Sequence, residues 1–232
     1  MPLQNPILPM PWLPFFGQSE DDGMKIARIL YPVHVLGPGE RVAIWTYGCI
    51  HACPGCANPE LWHPADAKET ESGKLKQLLE QLLQRGPIDG VTITGGDPFL
   101  YPESLQEILQ IAGQYTEDIL VYTGYRLAEV QKLAGAQEIL EQIAVLIDGT
   151  YEEKRNNGHV LKGSDNQNIY YLKKHYQAEY EAYIAEHQGK YPVENFPAKG
   201  GVISAGIHKP DFGMQFQSRG SYEKEQKQNT TE

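Results

Sequence analysis

Cys49, Cys53 and Cys56 are the only cysteines among 232 residues, and they fall within eight positions as Cys-x-x-x-Cys-x-x-Cys. Three thiolates at this spacing can hold three corners of a cuboidal iron–sulfur cluster, whereas electron-transfer clusters normally use four cysteines. The fourth iron then lacks a protein ligand and stays open to a small molecule, which suits chemistry better than structure. A disulfide framework fits an odd count poorly. The N-terminus has neither the basic start nor the sustained apolar run of a secretory signal. A reducing, cytoplasmic setting is therefore expected, where disulfides are disfavoured. The competing reading is a structural zinc site of Cys3His type, with His51 or His63 as fourth ligand. Such sites usually pair two separated knuckles, and this sequence has only one.

A second group of residues has the right character for a ligand site. Gly95-Gly96-Asp97-Pro98 lacks a Cβ at two adjacent positions, so its backbone can approach a ligand closely and meet the amino and carboxylate groups of an amino acid. The same residues also make a good β-turn. Asp148 ends an apolar run, where a carboxylate can accept from ribose hydroxyls or cap the loop that follows. Thr123 and Tyr125 are further lining candidates. Lys162 to Asn168 is polar and glycine-bearing, suited to folding over a site or to an ordinary surface loop.

These residues need elements to position them. Arg41–Tyr47 reads as a strand that runs straight into the cysteine loop. Val91–Thr94, Ile119–Thr123 and Ala144–Asp148 read as three more strands. Between them, Leu75, Leu78, Leu79, Leu82 and Leu83 recur at helical spacing, and Pro102 opens a helix carrying Leu105, Ile108, Leu109 and Ala112. Shorter helical patches fall at 126–133 and 136–143. Strands alternating with helices predict an α/β fold with a parallel sheet and right-handed crossovers. Each special segment follows a strand, and parallel α/β folds bind ligands at strand carboxyl ends. Four segments therefore converge on one rim.

Composition allows one domain with appendages, with 41% apolar residues to build a core. No apolar stretch approaches a membrane span. The 20 basic against 30 acidic residues give a net charge of −10 without a basic stripe, which argues against nucleic-acid binding. Residues 1–23, with five prolines and an acidic run, read as a mobile leader, and 218–232 as a disordered tail. The 24–170 segment is the expected core and 171–217 a C-terminal helical extension. In a helix at 171–190, Tyr176, Tyr180, Tyr183 and His187 form one stripe, read as packing on the body with a docking surface as the alternative. Gly200–Ile207 reads as an added strand or a backbone-rich loop near the site.

In order, the cysteine triplet and Gly95-Gly96-Asp97-Pro98 resemble the radical S-adenosylmethionine superfamily. Pro32-Val33-His34-Val35, Gly37 to Arg41 and Tyr47 to Asn58 resemble, more narrowly, the activating enzymes of anaerobic ribonucleotide reductase. So do Tyr122-Thr123-Gly124-Tyr125, Val145 to Gly149 and Gly163 to Gln167. The likeness covers about residues 30 to 170. Gly55 stands where most of the superfamily has an aromatic residue, although the reductase activases also accept glycine there. The roughly 60 residues beyond the match are a departure, since those activases are compact.

The resemblance implies a partial, open (β/α) barrel with a 4Fe–4S cluster on Cys49, Cys53 and Cys56. S-adenosylmethionine would chelate the open iron and be cleaved reductively to a 5′-deoxyadenosyl radical. It further implies cofactor contacts from Gly55, Cys56, Ala57, Thr94, Gly95, Gly96, Asp97, Thr123 and Asp148. Gly95, Gly96 and Asp97 would hold the methionine end. The implied partners are a glycyl-radical enzyme and an electron donor such as flavodoxin or ferredoxin. Radical chemistry on another peptide or small molecule, and a zinc or electron-transfer module without catalysis, are the alternatives.

Overall fold

The computed structural model describes residues 23–63, 69–198, 201–210 and 212. Nearly all of the expected leader and the whole expected tail lie outside these residues. The elements run β1 (Ile26–Val33), β2 (Arg41–Thr46), α1 (Ser72–Leu83), β3 (Gly90–Gly95), α2 (Pro102–Ala112) and β4 (Ile119–Tyr122). Then come α3 (Leu127–Val130), α4 (Ala136–Gln142), β5 (Val145–Asp148), β6 (Asn168–Tyr171), α5 (Gln177–His187), β7 (Val193–Ala198) and β8 (Gly201–Gly206).

Strands β1 to β6 form one sheet in sequential order, and β7 pairs with β8 in a separate hairpin. The four strands expected from sequence are β2 to β5, all parallel, with Trp45 beside Thr94 and Thr46 beside Gly95. Antiparallel β1 and β6 flank them. Neither edge strand was expected.

Helix α1 turns Leu75, Leu79 and Leu82 inward, at the spacing of one helical face. With Leu105, Ile108 and Leu109 of α2 they cover Val42, Ile44, Val91, Ile93, Ile119 and Val121 on one face of the sheet. Each such side chain contributes about 1.5–3 kcal/mol when fully buried. The other face is covered differently. Ala43 and Trp45 meet Phe196, Ile203 and Ala205 of the hairpin, and Leu120, Val145 and Ile147 meet Val160, Leu161, Tyr180 and Tyr183.

The predicted tyrosine stripe of α5 thus packs on the body, with Tyr180 and Tyr183 buried. Tyr180 donates to Asp118 Oδ1 at 2.7 Å, and Asp118 also pairs with the fully buried Arg41. Arg41 donates to Thr92 Oγ1 at 2.8 Å and to the Pro38 and Val91 carbonyls at 3.0 Å. Burial would weaken its charge, and Tyr180 and Asp118 more than restore it, raising the Arg41 pKa. This network closes the amino ends of the strands, opposite the cysteine loop. The C-terminal extension is helix plus hairpin, not helix alone. Residues 168–171 pair with β5, so the helix begins later than 171.

Candidate functional site

Strand β2 leads directly into the cysteine loop, and three residues there adopt left-handed backbone: Gly48 (φ 83°), Ala52 (φ 45°) and Gly55 (φ 76°). Ala52 does so with a side chain, a conformation costing about 1–2 kcal/mol. The loop is tied to the next strand. Gly96 N–H donates to Thr46 O at 2.8 Å and Asp97 N–H to Gly48 O at 2.6 Å. A Cβ at Gly95 would lie 2.4 Å from Thr46 N, and one at Gly96 would lie 2.2 Å from Gly48 O. Both obstacles are backbone. The two glycines therefore let the β3 end and the cysteine loop touch.

All three thiols are free, Cys49 buried and the other two half-buried. Burial pushes the Cys49 thiol up, while the His51 and Ala52 backbone amides pull it down. Burial likewise raises Cys53 against a Tyr151 amide, and Asn58 N–H donates to Cys56 Sγ at 3.4 Å. A bound metal's charge would favour the thiolate form against that burial at Cys49 and Cys53, and amides aimed at sulfur are a known control of cluster potential. Among the described residues, no three His, Cys, Asp or Glu side chains converge on a single-ion site. Three free thiols within one short loop are the donor set that holds three irons of an iron–sulfur cluster, and Cys49, Cys53 and Cys56 fit that role. His51, considered above as a zinc ligand, is engaged elsewhere.

That engagement is with Asp97. His51 Nε2 lies 2.7 Å from Asp97 Oδ2, and the His51 ring meets Tyr125 edge-on at 4.7 Å. The buried Asp97 carboxylate also accepts from Thr123 Oγ1 at 2.9 Å, Gly124 N at 2.8 Å and Phe99 N at 3.0 Å. A Cβ at Gly124 would strike the His51 ring at 2.3 Å, so that glycine makes room for the histidine. Asp148 is similarly engaged. It accepts from Leu127 N and Asn168 Nδ2, both at 2.8 Å, and from Arg126 at 3.3 Å. Asp97, Thr123 and Asp148 thus spend their polar atoms on protein, joining rim segments to one another.

Beside the cysteine loop lies a cavity of about 180 Å³. Gly55, Cys56, Ala57 and Thr94 line it, whereas the lining excludes Gly95, Gly96, Asp97, Thr123 and Asp148. Gln167, from the loop read as folding over a site, lines it as well, and so do Trp45, Tyr122, Tyr151 and His208, which the sequence did not single out. Register offered a signal for two of them. Trp45 pairs with Thr94, and one step beyond Ile93–Val121 brings Tyr122 beside Thr94. Nothing local marked His208. The Gly163–Asn168 loop braces this wall: Gln167 Nε2 donates to Gly149 O at 2.7 Å, and its Oε1 accepts from Gly163 N at 2.8 Å. Ser204 to Lys209, from β8 onward, complete the enclosure. Of the two readings of Gly200–Ile207, residues 201–206 form the added strand, β8, whose end lines the cavity.

Residues 35–170, more than half of the chain, match the family described as a 4Fe-4S single cluster domain. The anaerobic ribonucleoside-triphosphate reductase-activating protein of Enterobacteria phage T4 is 35% identical over 147 residues, covering 61% of this chain and 90% of the relative. Its namesake from Escherichia coli (strain K12) is 31% identical over 151 residues, covering 62% and 96%. That of Pasteurella multocida (strain Pm70) is 38% identical over 152 residues, covering 60% and 93%.

Proposed function

Because the chain belongs to the 4Fe-4S single-cluster family, in the activating-enzyme group of radical S-adenosylmethionine enzymes, we propose that it installs a glycyl radical on a partner enzyme such as anaerobic ribonucleotide reductase. The observation that carries this reading is three free thiols, each met by backbone amides, beside a cavity bounded by Cys56 and Thr94. When bound, the cluster supplies the electron that splits S-adenosylmethionine into methionine and a 5′-deoxyadenosyl radical, which takes a hydrogen atom from the partner's glycine.

The protein's own part is to hold and exclude. Cys49, Cys53 and Cys56 bind the cluster. Gly55, Cys56, Ala57 and Thr94 contact the cofactor along the cavity, and the Gly95-Gly96 backbone offers peptide groups to its methionine end. Asp97, Thr123 and Asp148 act as positioning residues: Asp97 fixes His51 and the Gly124 turn, and Asp148 fixes the start of α3. The six-stranded sheet is read as a partial, open barrel, with residues 24–170 as the catalytic core and 171–217 as a C-terminal extension, of which α5 and the β7–β8 hairpin cover the sheet face opposite α1 and α2. An external one-electron donor such as flavodoxin or ferredoxin completes the cycle. Cluster-loaded protein should release 5′-deoxyadenosine from S-adenosylmethionine under a strong reductant. A protein that keeps its iron and never releases that product would sink the proposal.

A further inference from the structure

We infer that the segment following β8 supplies the hydrogen-bonding wall of a nucleoside subsite, with His208 as its polar group and Tyr122 as the group contributed by the sheet. This rests on the cofactor reading above and concerns the adenosine half of that ligand. Tyr122 Oη and His208 Nδ1 are buried without a hydrogen-bond partner, and both residues line the cavity beside Cys56 and Thr94. Buried polar atoms are seldom left unpaired, so two that belong to residues of one cavity wall point to partners that a ligand brings.

The His208 ring is held from several sides. Its Nε2 lies 2.9 Å from Ser204 Oγ, its carbonyl accepts from Asn156 Nδ2 at 2.8 Å, and it stacks on Phe212 at 3.7 Å. Burial lowers its pKa to about 4, so the imidazole is neutral at pH 7 and offers Nδ1 as a neutral hydrogen-bonding atom. Burial raises the Tyr122 phenol, which stays a donor. A fixed imidazole, a phenol and the Trp45 indole on one cavity wall suit a heterocycle joined to a hydroxylated sugar. The family match ends at residue 170, so this wall is an addition to the shared core.

The test is anaerobic calorimetric titration of S-adenosylhomocysteine into cluster-loaded wild type, Tyr122→Phe, His208→Phe and the double variant. Both substitutions keep an aromatic ring in place, and iron and sulfide content is measured alongside. Each single variant should bind about fivefold more weakly, the equivalent of one net hydrogen bond of about 1 kcal/mol, with iron content and methionine affinity unchanged. Unchanged affinity in both variants, absence of wild-type binding, or loss of iron from the variants would each overturn the assignment. Failure of wild type to form 5′-deoxyadenosine would count against the proposed function, while the titration still decides the subsite.

Discussion

Asp97 separates two ways of building this site. A side chain contacting the ligand could be removed with little effect on stability. A carboxylate that joins rim segments could not. Four donors point at it: His51 Nε2, Thr123 Oγ1, Gly124 N and Phe99 N, at 2.7 to 3.0 Å. Asp97→Ala leaves all four without an acceptor. At about 1 kcal/mol each, the low end for buried donors stripped of their partner, the loss is about 4 kcal/mol. That is a large share of a typical domain's stability of about 5–15 kcal/mol. Asp97→Asn keeps one acceptor for Phe99 and Thr123 and turns an NH2 toward Gly124 and His51, so about 2 kcal/mol is expected. Anaerobic urea unfolding, followed by tryptophan fluorescence, gives both values. Because His51 belongs to the cysteine loop, iron retention should fall in the same order. A loss below about 1 kcal/mol in Asp97→Ala, together with abolished S-adenosylhomocysteine binding, would refute the positioning role.

Other substitutions probe the rest of the site. Cys53→Ala should abolish cluster assembly, since two thiolates cannot retain the cluster against solvent; wild-type iron and sulfide after reconstitution would contradict this. Gly96→Ala places a Cβ 2.2 Å from Gly48 O, so it should destabilise by about 2–4 kcal/mol and release iron, as overpacking and backbone strain do. Gly73→Ala, on α1 with nothing within 4 Å of the added Cβ, should stabilise by about 0.5–1 kcal/mol, and equal urea midpoints for the two variants would be incompatible with the close-approach reading. His159 accepts from Leu161 N and Lys162 N at 3.1 Å, and burial, then Lys162, lowers its pKa from 6.5 to about 4. Between those values the unfolded chain takes up a proton that the folded chain refuses, so stability falls as pH drops from about 6.5 to 4. His159→Gln should lose less between pH 7 and pH 5 than wild type, and equal losses would remove His159 from the pH response.

The parallel core was legible because β2 to β5 are short β-branched runs separated by clear helical periods, each ending in a special segment. The edge strands were hidden for local reasons. β1 carries Pro32 and two register irregularities, so no alternation of period two survives. β6 is four residues, Asn168 to Tyr171, following a polar loop. At the site, the sequence placed Asp97, Thr123 and Asp148 on the rim without showing which way they turn. Direction depends on partners distant in sequence, such as His51 for Asp97. His208 was invisible because its cavity exists only once the hairpin folds back over Trp45.

The most direct test is anaerobic reconstitution with iron and sulfide, reduction with dithionite in the presence of S-adenosylmethionine, and quantification of 5′-deoxyadenosine. The expected result is product formation that disappears when any one of Cys49, Cys53 and Cys56 is replaced by alanine. A stoichiometric cluster with no product, or product formed equally by the cysteine variants, would contradict the radical chemistry proposed for this chain.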